Sequence, residues 1–514
     1  MKAGAVLSVS DQVVDDAPVL RPTLLGGDTL AQSLVALLVL GVAQRIIGFG
    51  RSVLVCGWLP PDQLGEWDLA NRFFIFAAPL VVLGLPGSFG RYLEHYRQRG
   101  VLHYVLLRTI GVCAALAVFA VVAMLAAPEF IAEQVFGRAD RASSVALLAI
   151  GLVAVIAYNY LTEMLTALRL VRISSMVQFL NTLAFAALSV VFLALWRLDA
   201  LAIVLAYAGS CLLLVLAAIV WLAMHWSQLP RDGAHVPRGE MWRKLMPFAV
   251  WVWVTNLLYN LFEVIGRYML LHVGNLPNAQ ALVGQYHSAQ VIPVLIVSVA
   301  SLLAGMILPH LSRDWEWGDR GRVSDTLNLT LKLLGLATFA GSLLVLLAAP
   351  LLFDLAWQGK YAEGLTLLPL ALASCGWLAL STVAQMYLWC AERATLGCVS
   401  LAIGLVTNIL LNLALIPAYG LPGAVIATAT SNFAVLGIVL ALNRGLGMRV
   451  QHATALVGLL PLALLLGSWV ALAVLALTVL GLLTSHRLLT EQEKQRIVSV
   501  WQDYRAKFRP HHVR

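Results

Sequence analysis

Long apolar runs separated by short polar segments dominate the chain. A helix needs about 20 apolar residues to cross the hydrocarbon core of a bilayer. The pattern therefore predicts membrane-spanning helices near residues 30–58, 65–87, 104–127, 144–168, 173–196, 200–224, 245–272, 282–309, 327–353, 362–390, 395–416, 421–443, 452–467 and 469–485. Only a turn at Gly467 and Ser468 divides the last two runs, so we expect fourteen helices, with thirteen as the alternative.

The composition agrees with a polytopic membrane protein. The chain has 514 residues, of which 61% are hydrophobic and 12% are charged, whereas about 25% of residues are charged in ordinary soluble domains. The net charge of +8 is spread over the loops between apolar runs, which favours membrane topology over nucleic-acid binding as its cause. Residues 1–29 lack the basic and apolar regions of a cleaved signal peptide and are expected to form a cytoplasmic tail.

Basic residues occur mainly in every second loop. The rich loops include Arg97, Arg172, Arg243, Arg313 and Arg444. The alternate loops hold only Arg138, Arg141, Arg197 and Lys360. Because lysine and arginine accumulate on the cytoplasmic side, this asymmetry predicts a protein of the cytoplasmic (inner) membrane with both termini inside.

The sequence also repeats weakly along its length. The tetrapeptide at 125–128 recurs at 347–350, and Gly50-Arg51 matches Gly266-Arg267. In the same order, Gly65 aligns with Gly284 and Ala70 with Ala289. The first helices of both copies run in the same direction, which predicts two parallel six-helix lobes related by a pseudo-two-fold axis, with a substrate site between them. The predicted division is a tail (1–29), an N-lobe (30–224), a cytoplasmic loop (225–244), a C-lobe (245–443), a terminal helix pair (452–485) and a basic amphipathic tail (486–514).

Charged residues inside the predicted spans are the candidates for function. Three of them are Arg45, Arg51 and Arg72. An arginine at mid-membrane costs about 2.5–3.5 kcal/mol on insertion scales, so each needs a partner, water or a substrate. Near the helix ends, snorkelling towards the surface is the alternative explanation.

Polar residues form a stripe on the seventh predicted helix, at Asn256, Asn260, Glu263 and Arg267. Their spacing places them on one helical face, where Glu263 and Arg267 can pair at i,i+4. Asp68 and Arg72 have the same spacing on the second helix. Gln44 shares a face with Arg51, and Glu163 lies on the fourth helix. Either these residues line a hydrated cavity or they hold helices together.

Motifs of catalysis are missing from the sequence. No Walker A loop, GxSxG elbow, HExxH motif or clustered metal ligands occur. We therefore expect no enzymatic activity, no catalytic residue, no metal and no cofactor.

Four short motifs follow one another near the start of the chain: Arg45-x5-Arg51, Leu64-Gly65-Glu66-Trp67-x-Leu69-Ala70, Leu83-Gly84-Leu85 and Arg91-Tyr92. This series resembles the amino-terminal signature of polysaccharide flippases in the multidrug/oligosaccharidyl-lipid/polysaccharide exporter superfamily. The resemblance implies a V-shaped carrier that flips a polyprenyl-pyrophosphate-linked oligosaccharide, such as an O-antigen, capsule or exopolysaccharide unit, by alternating access.

The resemblance also implies roles for residues and partners. Arg45, Arg51 and Arg267 would face the pyrophosphate, with Gln44, Asn256, Asn260 and Arg72 as further cavity residues. Glu263, Asp68 and Glu163 are the candidates for ion coupling or ion pairing. Coupling to protons or sodium is implied, although no residue identifies the ion. The partners would be the lipid-linked glycan, membrane lipids and other glycan-assembly proteins.

Three other functions compete with this one. A cation-coupled multidrug exporter of the same superfamily would need a cavity that accepts cations, which arginines repel. A membrane-embedded glycan polymerase or ligase would need clustered catalytic residues. A non-transporting scaffold would tolerate loss of the intramembrane arginines. The arginine-dense pattern expected of a lipid II flippase is not evident, which disfavours a peptidoglycan precursor as cargo.

Overall fold

A computed structural model describes residues 30–196, 198–225, 238–274, 276–484 and 493–495 of the chain. The predicted tail at 1–29, most of the loop at 225–244 and most of the tail at 486–514 lie outside the described residues. The described part is helical without strands, which confirms the all-α integral-membrane fold. Helices dominate because backbone groups in hydrocarbon must find hydrogen bonds within their own segment.

We number the helices in chain order: α1 (Leu30–Trp58), α2 (Pro61–Val81), α3 (Phe89–Gln98), α4 (Leu102–Ala126), α5 (Pro128–Phe136), α6 (Ala142–Ala167), α7 (Val171–Leu195), α8 (Ala200–His225), α9 (Arg238–His272), α10 (Ala279–Gln290), α11 (Pro293–Glu316), α12 (Arg320–Leu351), α13 (Ala362–Ala384), α14 (Met386–Cys390), α15 (Ala394–Tyr419), α16 (Leu421–Gly445), α17 (His452–Leu459), α18 (Leu462–Leu465) and α19 (Ser468–Thr484).

Among the described residues, 11 helices are long and apolar enough to cross a membrane. A bent pair, Pro61–Val81 with Pro86–Leu93, would make 12 if it forms one span. Two shorter apolar helices, His452–Leu465 and Ser468–Gly481, follow near the end. Fourteen spans would require both short helices to cross the membrane, so the predicted count stays a prediction.

Several predicted helices are interrupted, among them those over 65–87 and 282–309. Instead of one helix over 65–87, α2 ends at Val81 and the chain turns by 65° into the segment beginning at Pro86. Gly84, with a φ of 67°, allows the turn because it has no Cβ. Instead of one helix over 282–309, α10 ends at Gln290 and α11 begins at Pro293, whose ring suits the first turn of a helix.

Two short helices, α3 and α5, were not predicted, because neither is long enough to register as an apolar span. Helix α3 is strongly amphipathic, with Arg91 and His95 exposed and Leu93 and Tyr96 buried. It therefore belongs at the end of the bundle rather than across it.

The spanning helices pack in two groups. Helices α1, α2, α4 and α6–α8 contact one another, and so do α9–α13, α15 and α16. The groups meet chiefly where α2 packs against α9 and α10. We call them the N-half and the C-half, and the predicted internal symmetry between them remains a prediction.

The tightest contact between the halves involves two glycines. A methyl group added at Gly65 would overlap the carbonyl of Gln280, and one added at Gly284 would overlap the carbonyl of Pro61. Small residues of this kind let membrane helices approach backbone to backbone. Glycine at both positions therefore permits the close crossing of α2 and α10.

Further contacts join the halves at the end of the bundle where α1 ends and α2 begins, which we call the Pro60 side. There the side chains of Trp357, Lys360 and Tyr361 donate to the carbonyls of Val53, Gly57 and Leu59. On α10, Gln280 donates to the carbonyl of Phe136. The Pro60 side is thus closed, and the charge pattern predicts that it faces away from the cytoplasm.

A buried ion pair joins α12 to the C-terminal segment. Lys332 Nζ lies 2.9 Å from both carboxylate oxygens of Glu493, and the two side chains are only 2% and 6% exposed. The amide oxygen of Gln451 also accepts from Lys332. Four residues further back on α12, Asn328 bonds the backbone of Arg449 and Gln451. The start of α17 and residue 493 are therefore held by one face of α12.

Replacing Glu493 with alanine should lower the free energy of unfolding by about 3–5 kcal/mol, because Lys332 would remain buried without its counter-charge. Thermal unfolding of the full chain in detergent measures this change. The control is Glu363→Ala, which removes an exposed carboxylate. The double variant Lys332→Met with Glu493→Leu should recover most of the loss. Equal melting of Glu493→Ala and the control would contradict the assignment.

Candidate substrate cavity

A cavity of about 330 Å³ lies between the halves, bounded by α1, α2, α9, α10, α11, α13 and α16. Five of the predicted site residues line it: Arg45, Arg72, Asn260, Glu263 and Arg267. Hydroxyl and amide groups of Ser298, Ser374, Thr428 and Asn432 complete much of the polar wall. The cavity therefore presents both charges and neutral hydrogen-bonding groups.

Asp68 is the centre of a network of charged side chains, although it is not itself among the residues that line the cavity. Its side chain is fully buried, and its two oxygens accept from Arg267 Nε at 2.5 Å and contact His287 Nδ1 at 2.8 Å. Arg72 Nε lies 3.5 Å from the same carboxylate. The three basic side chains come from α9, α10 and α2, so one carboxylate of the N-half binds both helices that face it from the C-half.

Arg267 has little freedom to move in this arrangement. Besides Asp68, it donates through Nη2 to Gln290 at 2.5 Å, and its guanidinium lies 4.6 Å from the centre of the Tyr286 ring. Only 3% of its side chain is exposed. Its charge is therefore balanced by Asp68, although it contributes to the cavity wall.

A second ion pair crosses between the halves. Arg72 Nη1 donates to Glu263 Oε2 at 3.0 Å, and Glu263 is 31% exposed. The predicted pairing of Glu263 with Arg267 through their side chains is wrong, because Arg267 Nη1 instead reaches the backbone carbonyl of Glu263 at 3.1 Å. Arg72 and Arg267 therefore each pair with a carboxylate in the opposite half, Arg72 with Glu263 on α9 and Arg267 with Asp68 on α2.

Arg45 differs from the other cavity arginines. Its Nη1 donates to the carbonyl of Gly41 at 2.9 Å and its Nη2 to that of Ser298 at 3.3 Å, while the buried Nε has no partner in the part of the chain that the structure describes. Among the described residues, no carboxylate forms an ion pair with it. Three guanidinium groups and two carboxylates thus leave one positive charge, which lies on Arg45.

Arg51 lies apart from this cavity. Its guanidinium carbon lies 3.9 Å from the centre of the Phe185 ring on α7, within the N-half. Six residues separate Arg45 from Arg51, which places them about 240° apart around the helix. The structure therefore brings Arg45, Arg72 and Arg267 together and leaves Arg51 elsewhere.

Three other predicted residues also lie outside the cavity lining. Gln44 is half-buried on α1, Asn256 is exposed on α9 and Glu163 is exposed on α6. Glu163 and Asn159 are exposed four residues apart on the same helix. Within the described structure, no hydrogen bond or ion pair connects Gln44, Asn256 or Glu163 to the charged residues at the cavity.

Sequence reasoning did not select His287 or Gln290 as site residues. The sequence repeat contained a signal for the first of them. The register that aligns Gly65 with Gly284 and Ala70 with Ala289 also places Asp68 opposite His287. These two residues are in contact where α2 and α10 cross, at 2.8 Å.

The family model described as "Polysaccharide biosynthesis protein" matches residues 30–315, more than half of the chain. The chain belongs to this family. The matched residues include α1, α2, α9 and α10, and hence every member of the charged network.

A curated relative is the "Uncharacterized membrane protein YabM" of Bacillus subtilis (strain 168), which is 27% identical over 238 residues. The match covers 45% of this chain and 44% of that protein, so it spans less than half of the relative's length.

Solved structures share the fold. "Lipid II flippase MurJ, inward closed conformation" superposes with a TM-score of 0.65 at 11% identity, covering 86% of this chain and 97% of that one. An inward-facing multidrug resistance MATE family transporter of the MOP superfamily gives 0.63 at 13% identity, with coverages of 80% and 97%. At these identities the likeness shows the fold alone. The chain is a multi-pass membrane protein with the fold of MOP-superfamily transporters.

Proposed function

We propose that this protein flips a polyprenyl-pyrophosphate-linked oligosaccharide across the cytoplasmic membrane by alternating access, coupled to an ion gradient. The observation that carries the proposal is the excess positive charge on Arg45, which has no carboxylate partner among the described residues. A guanidinium whose Nε and charge are unused matches a phosphate group, which offers several acceptor oxygens.

The rest of the cavity supports a glycan head group. The side chains of Asn260, Ser298 and Asn432 offer donors and acceptors for sugar hydroxyls. The polyprenyl chain would remain in the surrounding lipid, since the cavity holds charged and hydrogen-bonding side chains beside its apolar ones. Glu263, which lines the cavity and is more exposed than Asp68, is our candidate for coupling.

The cellular test compares cells with and without this chain. We expect loss of the chain to deplete surface glycan and to accumulate lipid-linked oligosaccharide that extracellular hydrolases cannot reach. Drug susceptibility and drug efflux should not change, because an uncompensated arginine disfavours cationic drugs. Normal surface glycan together with impaired drug efflux would overturn the proposal in favour of the multidrug exporter.

A further inference from the structure

The two helices that carry the ion pairs share a sequence pattern. On α2, Asp68 precedes Arg72 by four residues, and on α9, Glu263 precedes Arg267 by four. Side chains at i and i+4 of a helix lie one above the other and can form ion pairs. Each acid therefore has two basic partners within reach, one on its own helix and one on the opposite helix.

The closed structure uses both opposite-helix pairs, and of the same-helix pairs only the longer contact between Asp68 and Arg72. Asp68 binds Arg267 at 2.5 Å, and Glu263 binds Arg72 at 3.0 Å. The same-helix partners are nevertheless close. Arg72 Nε lies 3.5 Å from Asp68, and Arg267 Nη1 already donates to the backbone of Glu263. A change of side-chain rotamer, without unwinding of either helix, would complete the same-helix pairs.

Separation of the halves on the Pro60 side must break both crossed pairs. A buried charge that loses its partner is strongly destabilising, so a network limited to crossed pairs would resist opening. Several other contacts across this side are hydrogen bonds to backbone carbonyls, which water can replace. The packing of α2 on α10 at Gly65 and Gly284 involves no charge. The ion pairs are therefore the contacts whose loss would leave buried charges without partners.

We infer that the four charges exchange partners when the Pro60 side opens. In the closed form Asp68 pairs chiefly with Arg267, with Arg72 further away at 3.5 Å, and Glu263 pairs with Arg72. In the open form Asp68 pairs with Arg72 and Glu263 with Arg267, so every charge keeps a counter-charge in both forms. His287 and Gln290 bind this network only in the closed form and become accessible to water when it opens. The inference concerns the opening of the carrier, whatever its cargo.

Two double variants distinguish this exchange from the alternative, in which the crossed ion pairs only hold the Pro60 side closed. Arg72→Gln with Glu263→Gln leaves the closed pair of Asp68 and Arg267 intact but removes the same-helix partner of each. Exchange then predicts that the Pro60 side opens less often. If the crossed pairs only hold this side closed, it should instead open more often, because one of the two pairs has been removed. The other variant, Glu263→Arg with Arg267→Glu, preserves a same-helix pair on α9 but sets like charges against each other across the halves, and should favour opening.

Cys375 provides a reporter that the chain already contains. It lines the cavity and is buried in the closed form. Intact cells that produce the full chain are treated with a membrane-impermeant maleimide, and modification of the Cys375 peptide is followed by mass spectrometry. The rate of modification follows the population that is open on the Pro60 side, even when that population is small.

We expect modification to slow at least tenfold in Arg72→Gln with Glu263→Gln, and to accelerate at least tenfold in Glu263→Arg with Arg267→Glu. Exchanging acid and base on both helices, by adding Asp68→Arg and Arg72→Asp to the latter variant, should return the rate to within threefold of wild type. That rescue also shows that the variant chains fold. Modification of the first variant at or above the wild-type rate, or no acceleration in the second, would overturn the inference.

Discussion

Replacing Arg45 with alanine should weaken binding of a pyrophosphate-linked lipid at least about 30-fold, while the protein still folds and reaches the membrane. Loss of one partner from a buried, hydrogen-bonded charge pair costs about 2–5 kcal/mol in binding, and 1.4 kcal/mol corresponds to a factor of ten. Arg45 has only carbonyl partners among the described residues, so its removal takes away no ion pair seen there. Binding of the lipid to purified protein and its transport should therefore fail together.

Two matched variants sharpen this expectation. Arg45→Lys keeps the charge but loses the paired donors of the guanidinium, so we expect an intermediate affinity. Arg138→Ala removes an exposed arginine that pairs with Asp140 outside the cavity, and should leave binding unchanged. If Arg45→Ala and Arg138→Ala bound the lipid equally well, Arg45 would not be the phosphate site.

Replacing Asp68 with asparagine should produce the largest loss of stability of any single substitution in the charged network. The change keeps the shape of the side chain but removes the charge that balances Arg267, which is 3% exposed. We expect a loss of about 3–5 kcal/mol in the free energy of unfolding, since a buried charge would remain without compensation. Thermal unfolding in detergent, followed by tryptophan fluorescence, measures the effect.

The control residue for this experiment is Asp62, which lies six positions before Asp68 on the same helix. Asp62→Asn changes an exposed carboxylate and should shift unfolding very little. Combining Asp68→Asn with Arg267→Gln should cost less than the sum of the two single changes, because the second removes the charge that the first leaves unbalanced. Additive losses would mean that the two residues do not depend on each other.

The sequence predicted the polar face of α9 better than it predicted the partners on it. Spacing alone correctly indicated that Asn260, Glu263 and Arg267 share one direction, and all three line the cavity. The partner of each charge could not be read from spacing, because i,i+4 neighbours and residues on a crossing helix compete for the same group. The choice between them depends on how closely α2 and α9 approach, which is a property of the folded bundle.

The arginines of α1 illustrate a different limit. Their positions six residues apart imply different faces of the helix, yet motif resemblance suggested that Arg45 and Arg51 act together. The structure places Arg45 at the cavity and Arg51 against Phe185. The residues of a motif can serve packing or binding, and only their three-dimensional arrangement distinguishes the two roles.

The interruptions of α2 and α10 were partly predictable. Pro293 begins α11, as expected of a residue that lacks a backbone donor. Pro79 and Pro309, in contrast, lie inside continuous helices, α2 and α11. Neighbouring helices can satisfy the carbonyl that a proline leaves free, so a proline in a membrane helix does not determine where the helix ends.

The most direct test of the proposed function is an exchange assay between leaflets. The full chain is reconstituted into liposomes that contain a fluorescent polyprenyl-pyrophosphate-linked oligosaccharide, and an impermeant pyrophosphatase is added outside. With an ion gradient imposed, we predict that the enzyme gains access to nearly all of the lipid in wild-type vesicles, but only to the outer-leaflet pool in protein-free and Arg45→Ala vesicles. Equal access in wild-type and protein-free vesicles would contradict the assignment of this protein as a flippase of lipid-linked glycans.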